Sequence, residues 1–278
     1  MDPVQALLLG VIEGITEFLP VSSTGHLTVA EKLLGMRVDD PGVTAFTAII
    51  QMGAIAAVVI YFRSDIVGLL AAWARGLVSR AGRTQFRYRL AWFVIAGSVP
   101  IGIVGFLGRG LIGGSLRNLW VVAAGLVGWS IVMALAERFG TRQRGEQGLT
   151  LVDALFVGLM QCFALLPGVS RSGATISAGL LRGLDRVVAT RLAFFLSIPA
   201  LTAAGLYEGV SQAGAVSTSV GWMPTILATI VSFVVAYASI GWLLRLVAKH
   251  RITVFIGYRV ALGLLIVILI LTGVVSAT

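Results

Sequence analysis

Long apolar stretches separated by short basic segments dominate the sequence. Six of these stretches have the roughly 20 residues that a helix needs to cross about 30 Å of hydrocarbon. They cover residues 43–62, 88–107, 117–136, 190–208, 222–245 and 253–274. The pattern predicts an all-α polytopic membrane protein with six full transmembrane helices, and the even number predicts that both termini lie on the same side.

Two further apolar stretches, 4–18 and 151–166, are too short to span a bilayer. Each gives only about 22 Å of helix. Each then runs into a polar segment that contains a proline, Pro20 or Pro167, followed by hydroxyl side chains. Irregular backbone at membrane depth is tolerated where it packs against protein or lines a cavity. We therefore expect two re-entrant helical hairpins.

The composition supports a membrane protein. The chain is 58% hydrophobic and 12% charged, with a mean hydropathy of +0.97, which lies outside the usual range of soluble domains. The net charge of +9 would suggest nucleic acid as a partner of a soluble protein. Here the basic residues lie between apolar stretches, so topology explains them and we expect no nucleic-acid partner. The single Cys162 lies in an apolar run and is interpreted as a packing residue.

The loops on the two sides differ in their content of Lys and Arg. One set carries Arg63, Arg75, Arg80, Arg83, Arg87, Arg89, Arg138, Arg142, Arg144, Arg182, Arg186, Arg191, Arg245, Lys249 and Arg251, and the other carries Lys32, Arg37, Arg109 and Arg117. By the positive-inside rule the first set is cytoplasmic. This places both termini outside, and the two hairpins then enter from opposite faces. Residues 66–80 are predicted to form an interfacial amphipathic helix.

The chain resembles itself when it is shifted by 148 residues. Ala6, Leu7, Gly10, Val21, Ser22 and Gly25 then face identical residues at 154, 155, 158, 169, 170 and 173. Glu13 faces the near-isosteric Gln161. Chance similarity between apolar segments is the alternative, but the opposite predicted orientations favour an inverted repeat with a site where its broken helices meet. We expect one integral membrane domain, 1–278, with repeat 1 over about 4–136 and repeat 2 over about 151–274.

The first polar segment combines carboxylates, hydroxyls and a histidine. Glu13 and Glu17 are four residues apart and share one helix face. In a site of low dielectric such a pair shares a proton or holds a cation; the alternative is a structural ion pair with Arg171. The hydroxyls of Ser22, Ser23 and Thr24 suit a helix cap that leaves N–H groups for an anion, with Ser23 the preferred nucleophile. His26 is a candidate acid, base or hydrogen-bond donor.

The second polar segment brings a cation in place of the carboxylates. Arg171 offers a planar fork of donors that matches phosphate oxygens. The neighbouring candidates for anion binding are Ser170, Ser172, Gly173 and Thr175, which lie at the start of the following helix. The two segments together predict a buried site for an anionic lipid.

These two segments carry a resemblance to a known family. EGITEFLPVSSTGH over 13–26 and PGVSRSGAT over 167–175 resemble the two signature motifs of the bacterial undecaprenyl pyrophosphate phosphatase family (BacA/UppP type). The likeness extends over nearly the whole chain. It implies a hydrolase that removes the terminal phosphate of undecaprenyl pyrophosphate, recycles the lipid carrier for peptidoglycan synthesis and confers bacitracin resistance.

The resemblance also implies roles for individual residues. Glu17 would be the essential carboxylate with Glu13 as its partner, both at a divalent cation, Mg²⁺ or Ca²⁺. Ser23 would be the hydroxyl candidate, with His26 beside it, and Arg171 would bind phosphate. The family implies a multi-pass protein of the bacterial inner membrane whose active site opens toward the outer face.

Two other functions compete with this one. A transporter or flippase of a polyprenyl phosphate lipid would use the same architecture and the same anion site. A phosphatase of the phosphatidic acid type would need a second histidine after the Arg segment, but the only other histidine is His250, far downstream of Arg171. The sequence leaves open whether Ser23 or a water attacks, and it leaves open the metal, the lipid chain length and whether the protein forms an oligomer.

Overall fold

The computed structural model describes residues 1–113, 116 and 118–277, and within these residues it contains helices and no strands apart from one isolated bridge between Arg144 and Leu184. Thirteen α-helices follow one another in the described chain. They are α1 (Pro3–Thr16), α2 (Ser23–Leu33), α3 (Pro41–Tyr61), α4 (Arg63–Val78), α5 (Arg80–Arg83), α6 (Phe86–Gly113), α7 (Leu119–Phe139), α8 (Leu151–Gln161), α9 (Arg171–Leu181), α10 (Arg186–Ser211), α11 (Ala213–Ser219), α12 (Trp222–Lys249) and α13 (Val254–Leu271).

Six of these helices, α3, α6, α7, α10, α12 and α13, are long and apolar enough to cross a membrane. They coincide with the six predicted spans, so the prediction of an all-α multi-pass membrane protein is confirmed. The bounds differ by a few residues, most of all at α6, which runs on to Gly113. Arg117, the predicted first residue of the third span, lies outside the described residues. A helix, α4, also covers most of the predicted amphipathic segment 66–80.

The two short apolar stretches form helices that stop early. α1 and α8 each begin with a capping box, from Asp2 with Gln5 and from Thr150 with Asp153. α1 ends before residues 17–22, and α8 continues as a 3-10 turn, Cys162–Leu165, before residues 166–170. We call residues 17–22 the first break and residues 166–170 the second break. α2 and α9 start immediately after them.

Helices of one half of the chain pack against helices of the other half. α1 packs against α12, and α8 packs against α6. α3 contacts both α10 and α12, while α7 contacts α13 and α9. Glycines allow the closest approaches: a Cβ at Gly10 would lie 2.6 Å from the carbonyl oxygen of Ala228 on α12. This packing brings the ends of α1 and α8 into the interior of the bundle.

Buried ion pairs fasten the segment between α7 and α8. The carboxylate of Asp153 is fully buried and accepts from Arg144 (Nη2–Oδ2 2.6 Å) and from Arg182 (Nε–Oδ1 2.7 Å). Glu137 is paired with Arg142 and Arg186. Several of the arginines that set the predicted topology are therefore also structural partners of buried carboxylates.

Candidate active site

The two breaks share one backbone conformation. Ser22 and Ser170 have φ of 74° and 72°, a left-handed region that residues other than glycine rarely occupy. Each serine caps the following helix, because Ser22 Oγ accepts from the Gly25 N–H at 3.3 Å and Ser170 Oγ accepts from the Gly173 N–H at 3.2 Å. The self-similarity found at a shift of 148 residues thus has a matching geometry.

The breaks also contact each other directly. Arg171, the first residue of α9, donates from Nη2 to Oε1 of Glu17 in the first break. Ser170 Oγ donates to the Leu19 carbonyl oxygen at 3.4 Å. The ion pair that the sequence offered as a structural alternative is therefore present, and it joins two segments more than 150 residues apart in the chain.

Glu17 is the centre of this contact. Its carboxylate is buried and its Oε2 accepts from Ser23 Oγ at 2.6 Å and from Gln51 Nε2 at 3.2 Å. The first of these bonds places the candidate nucleophile directly on a candidate base. Gln51, on α3, was missed in the sequence because it lies within the predicted span 43–62; an amide in the middle of an apolar helix was the available signal.

Glu13 lies one helical turn before Glu17 and is likewise buried. Its carboxyl group lies against that of Glu17, and its Oε1 has no hydrogen-bond partner among the described residues. Gln161, which faces Glu13 in the repeat alignment, is also buried, and neither polar atom of its side chain has a partner there. An unpaired carboxylate oxygen beside a second carboxylate is what a bound cation would satisfy.

His26 is held by two contacts away from Glu17. Nδ1 lies 2.7 Å from the Ser22 carbonyl oxygen, so this nitrogen carries the proton, and Nε2 accepts from the Tyr258 hydroxyl at 2.5 Å. The two rings are stacked with centroids 5.5 Å apart. The structure therefore places Glu17, and not His26, as the group in contact with Ser23. Tyr258, on α13, was not predicted as a site residue.

The other predicted anion-binding residues differ in their surroundings. Thr24 is exposed and Ser172 is buried, whereas Thr175 Oγ1 donates to the Arg171 carbonyl oxygen within its own helix at 2.8 Å. The N–H of Gly173 is taken by the Ser170 cap. Two of the first four N–H groups of α2 and of α9 are already used, since the third bonds to the side chain of the capping serine and the fourth makes the first helical bond. The N–H groups of Ser23, Thr24, Arg171 and Ser172 remain for a ligand.

A second arginine, which is fully buried, lies behind the breaks. Arg259, on α13, is fully buried and donates from Nη1 to the Pro20 carbonyl oxygen of the first break at 2.8 Å. Its Nη2 lies 3.0 Å from the Gly168 and 3.1 Å from the Val169 carbonyl oxygen of the second break. The sequence interpretation missed it inside the predicted span 253–274, although an arginine at membrane depth is itself a signal of function.

The described part of the chain is thus a polytopic helical membrane protein in which two broken helices bring together a hydroxyl, a buried carboxylate and a guanidinium. Such a centre suits transfer or binding of a phosphoryl group. The sequence model of the family described as "Bacitracin resistance protein BacA" matches residues 6–265, and the chain belongs to this family.

Curated relatives support the same assignment over full length. The chain is 55% identical over 278 residues to "Undecaprenyl-diphosphatase 3" of Frankia casuarinae, with all of both chains covered. It is 53% identical over 277 residues to "Undecaprenyl-diphosphatase" of Acidothermus cellulolyticus and 52% identical over 284 aligned positions to that of Cutibacterium acnes, again with all of each chain covered.

Proposed function

We propose that this protein is an undecaprenyl-diphosphatase, a membrane hydrolase that converts undecaprenyl pyrophosphate to undecaprenyl phosphate and inorganic phosphate. The observation that carries the proposal is the contact of Arg171 with Glu17 while Glu17 accepts from Ser23. Full-length relatives with this name support it. The reaction recycles the lipid carrier for peptidoglycan synthesis, and it confers bacitracin resistance because that antibiotic captures the pyrophosphate form.

The geometry supports a direct role for each polar group. Arg171 and the free N–H groups at the starts of α2 and α9 bind the terminal phosphate, which displaces or shares the Arg171–Glu17 pair. Ser23 attacks phosphorus while Glu17 accepts its proton, the anhydride P–O bond breaks, and undecaprenyl phosphate leaves. Water then hydrolyses the phosphoserine. The competing route has Ser23 orient a water, which Glu17 deprotonates for attack on the same phosphorus.

A divalent cation, Mg²⁺ or Ca²⁺, fits the carboxylate pair. The described residues contain no cluster of three or more His, Cys, Asp or Glu side chains that could hold a metal. Mg²⁺ commonly takes only one or two carboxylates and keeps waters and substrate phosphate oxygens as its other ligands, so Glu13 and Glu17 suffice. The unpaired Oε1 of Glu13 is the atom that such an ion would satisfy. When bound, the cation neutralises charge on the phosphates.

The architecture is an inverted-topology repeat with two re-entrant hairpins, α1–α2 and α8–α9. Three observations support this: the shared φ and caps of Ser22 and Ser170, the similar order of short and long helices in the two halves, and the exchanged packing of α1 on α12 and α8 on α6. The charge bias of the loops supports both termini outside and a first hairpin open to the outer face of the bacterial inner membrane.

The paired broken helices also favour a second candidate, transport of a polyprenyl phosphate lipid. In that function the Arg171 site binds the lipid phosphate without cleaving it, and the two halves rock about it. The two functions make different demands on Glu17, since only hydrolysis needs a proton acceptor beside Ser23.

Phosphate release by the purified protein tests the proposal. We expect release from undecaprenyl pyrophosphate with Mg²⁺ or Ca²⁺, and a loss of about 10²–10⁴-fold in Glu17→Gln with lipid binding retained. Glu208→Gln, on α10, is the matched control because Glu208 pairs with Gln212 outside the site. Binding without release under either ion would favour transport. A phosphoserine trapped at Ser23 when turnover is quenched supports attack by Ser23, and its absence supports attack by water.

A further inference from the structure

Arg259 makes an unusual set of bonds for a buried arginine. Its Nε donates to Ser130 Oγ at 3.1 Å, and its two terminal nitrogens donate to backbone carbonyl oxygens. These acceptors are Pro20, Gly125, Leu126, Gly168 and Val169. None of these partners is a carboxylate, so the residue is not one half of an ion pair in this arrangement.

The acceptors belong to three separate parts of the chain. Pro20 lies in the first break, Gly168 and Val169 lie in the second break, and Gly125 and Leu126 lie on α7. A break in a helix leaves carbonyl groups without their intrahelical donors, and at membrane depth no water replaces them. The five donors of one guanidinium are fixed in a plane and serve several such carbonyls at once. A shorter side chain, or one with a single donor group, cannot bond to several of these carbonyl groups at once.

The bonds of Arg259 lie beside the groups that perform the chemistry. Pro20 is three residues after Glu17 and three before Ser23, and Val169 is two residues before Arg171. α7 is also held tightly against the second break, because a Cβ at Gly125 would lie 3.0 Å from the backbone of Gly168 and Val169. A shift of either break therefore moves Glu17, Ser23 or Arg171.

We infer that Arg259 is a positioning residue: its guanidinium fastens the first break, the second break and α7 into one unit, and so holds Glu17 and Ser23 opposite Arg171. The role in catalysis rests on the proposed hydrolase function. Arg259 acts through the backbone and does not touch the lipid phosphate. Its loss lowers kcat far more than it raises KM, because misplacement by about 1 Å costs on the order of 10²-fold in rate.

The test compares the same substitution at two arginines of the full-length protein in detergent. Arg259→Lys keeps the charge and removes the fork; Arg245→Lys is the matched control, since Arg245 donates to the Gly241 carbonyl of its own helix. Two readouts are taken, steady-state kinetics and hydrogen–deuterium exchange of peptides covering 18–27 and 166–175. In Arg259→Lys we expect kcat to fall about 10²-fold with KM within about threefold, and both peptides to exchange about tenfold faster.

The exchange readout needs no substrate and separates the two claims. If the unsubstituted protein releases no phosphate, the hydrolase proposal fails while exchange still reports whether Arg259 joins the breaks. Unchanged exchange at either break in Arg259→Lys, or equal changes in Arg245→Lys, overturns the positioning role. If Arg259→Lys does not fold, Ser130→Ala decides, because it removes the Nε acceptor and the Ser130 bond to the Leu126 carbonyl oxygen while the guanidinium stays in place. Faster exchange in both breaks then supports the inference, and a change confined to α7 overturns it.

Discussion

The first and second breaks share a backbone but carry different side chains. Ser22 and Ser170 have nearly equal φ and make the same cap. At the same shift of 148 residues, however, Ser23 faces Arg171, Glu17 faces Leu165 and His26 faces Ala174. The first break and the start of α2 thus carry a carboxylate, a hydroxyl and an imidazole, whereas the start of α9 carries a guanidinium. The shared backbone conformation therefore determines where a polar side chain is held, while the chemical type of that side chain differs between the two halves.

The largest expected effect comes from removing the guanidinium at the start of α9, which has no counterpart at the start of α2. In Arg171→Ala we expect kcat/KM to fall about 10³-fold, because the buried Glu17 loses its cationic partner and the phosphate loses its fork of donors. Arg171→Lys recovers at most about tenfold of this, since an ammonium is not bidentate. Phosphate-release kinetics measure both. Full recovery by Lys would show that only charge matters and would weaken the proposed division between the breaks.

A second comparison uses single substitutions at Glu13 and at Gln161, which correspond to each other at the shift of 148 residues. Glu13→Gln is expected to lower kcat about 10²-fold and to weaken its dependence on Mg²⁺, while the folded state is as stable or up to about 1 kcal/mol more stable because the repulsion between two adjacent buried carboxyl groups is removed. Gln161→Glu is expected to cost about 2–3 kcal/mol, since nothing there pairs with the new carboxylate.

Thermal unfolding in detergent and a Mg²⁺ titration of activity check both variants. If Gln161→Glu were tolerated and Glu13→Gln destabilised the fold, the assignment of a functional carboxylate to the first hairpin alone would be wrong.

The shared part of the two breaks is tested by their caps. Ser22→Ala and Ser170→Ala should each cost about 1 kcal/mol of stability, because each loses the acceptor for an N–H at the start of a helix. The Gly variants should cost less, since glycine adopts the positive φ without strain. Chemical denaturation in mixed micelles measures the four values. A strong difference between the two positions would contradict a common backbone design.

The smallest expected effect concerns the contact of His26 on α2 with Tyr258, which has no counterpart on α9. Tyr258→Phe removes the hydroxyl that donates to His26 and keeps the stacked ring, so we expect a loss of about fivefold in kcat/KM. The kinetics of the purified variant check this. A loss as large as that of Glu17→Gln would mean that the Tyr258–His26 pair takes part in the chemical step itself.

The sequence predicted the parts of this site that are marked by a motif. The six spans follow from hydropathy and length, and the breaks follow from polar residues after Pro20 and Pro167. The sequence offered the contact of Glu17 with Arg171 only as an alternative to a carboxylate pair that shares a proton or holds a cation, and the structure contains this contact. The roles of these residues in binding and catalysis remain predictions for the experiments above.

The residues that escaped prediction are single polar side chains within long helices. Gln51 on α3, and Tyr258 and Arg259 on α13, lie in stretches whose average hydropathy hides them. Their hydrogen-bond partners lie in other parts of the chain, so no local sequence pattern predicts the roles of these three residues. His26 was a fair candidate for acid–base chemistry by type, but its contacts with the Ser22 carbonyl and with Tyr258 depend on how α2 meets α13, which only the tertiary packing decides.

The long sequence separation between the first break and the residues that bond to it has a consequence for biosynthesis. The Pro20 carbonyl bonds to Arg259, which follows it by 239 residues, and Glu17 pairs with Arg171, which follows it by 154. During translation the first break therefore enters the membrane long before its partners exist. Until those partners have been made, the polar groups of the first break need water or the insertion machinery as substitute hydrogen-bond partners. The contact with Arg171 requires that α9 has been made, and the contact with Arg259 requires α13, so the contacts of the first break are complete only when the last long helix is present.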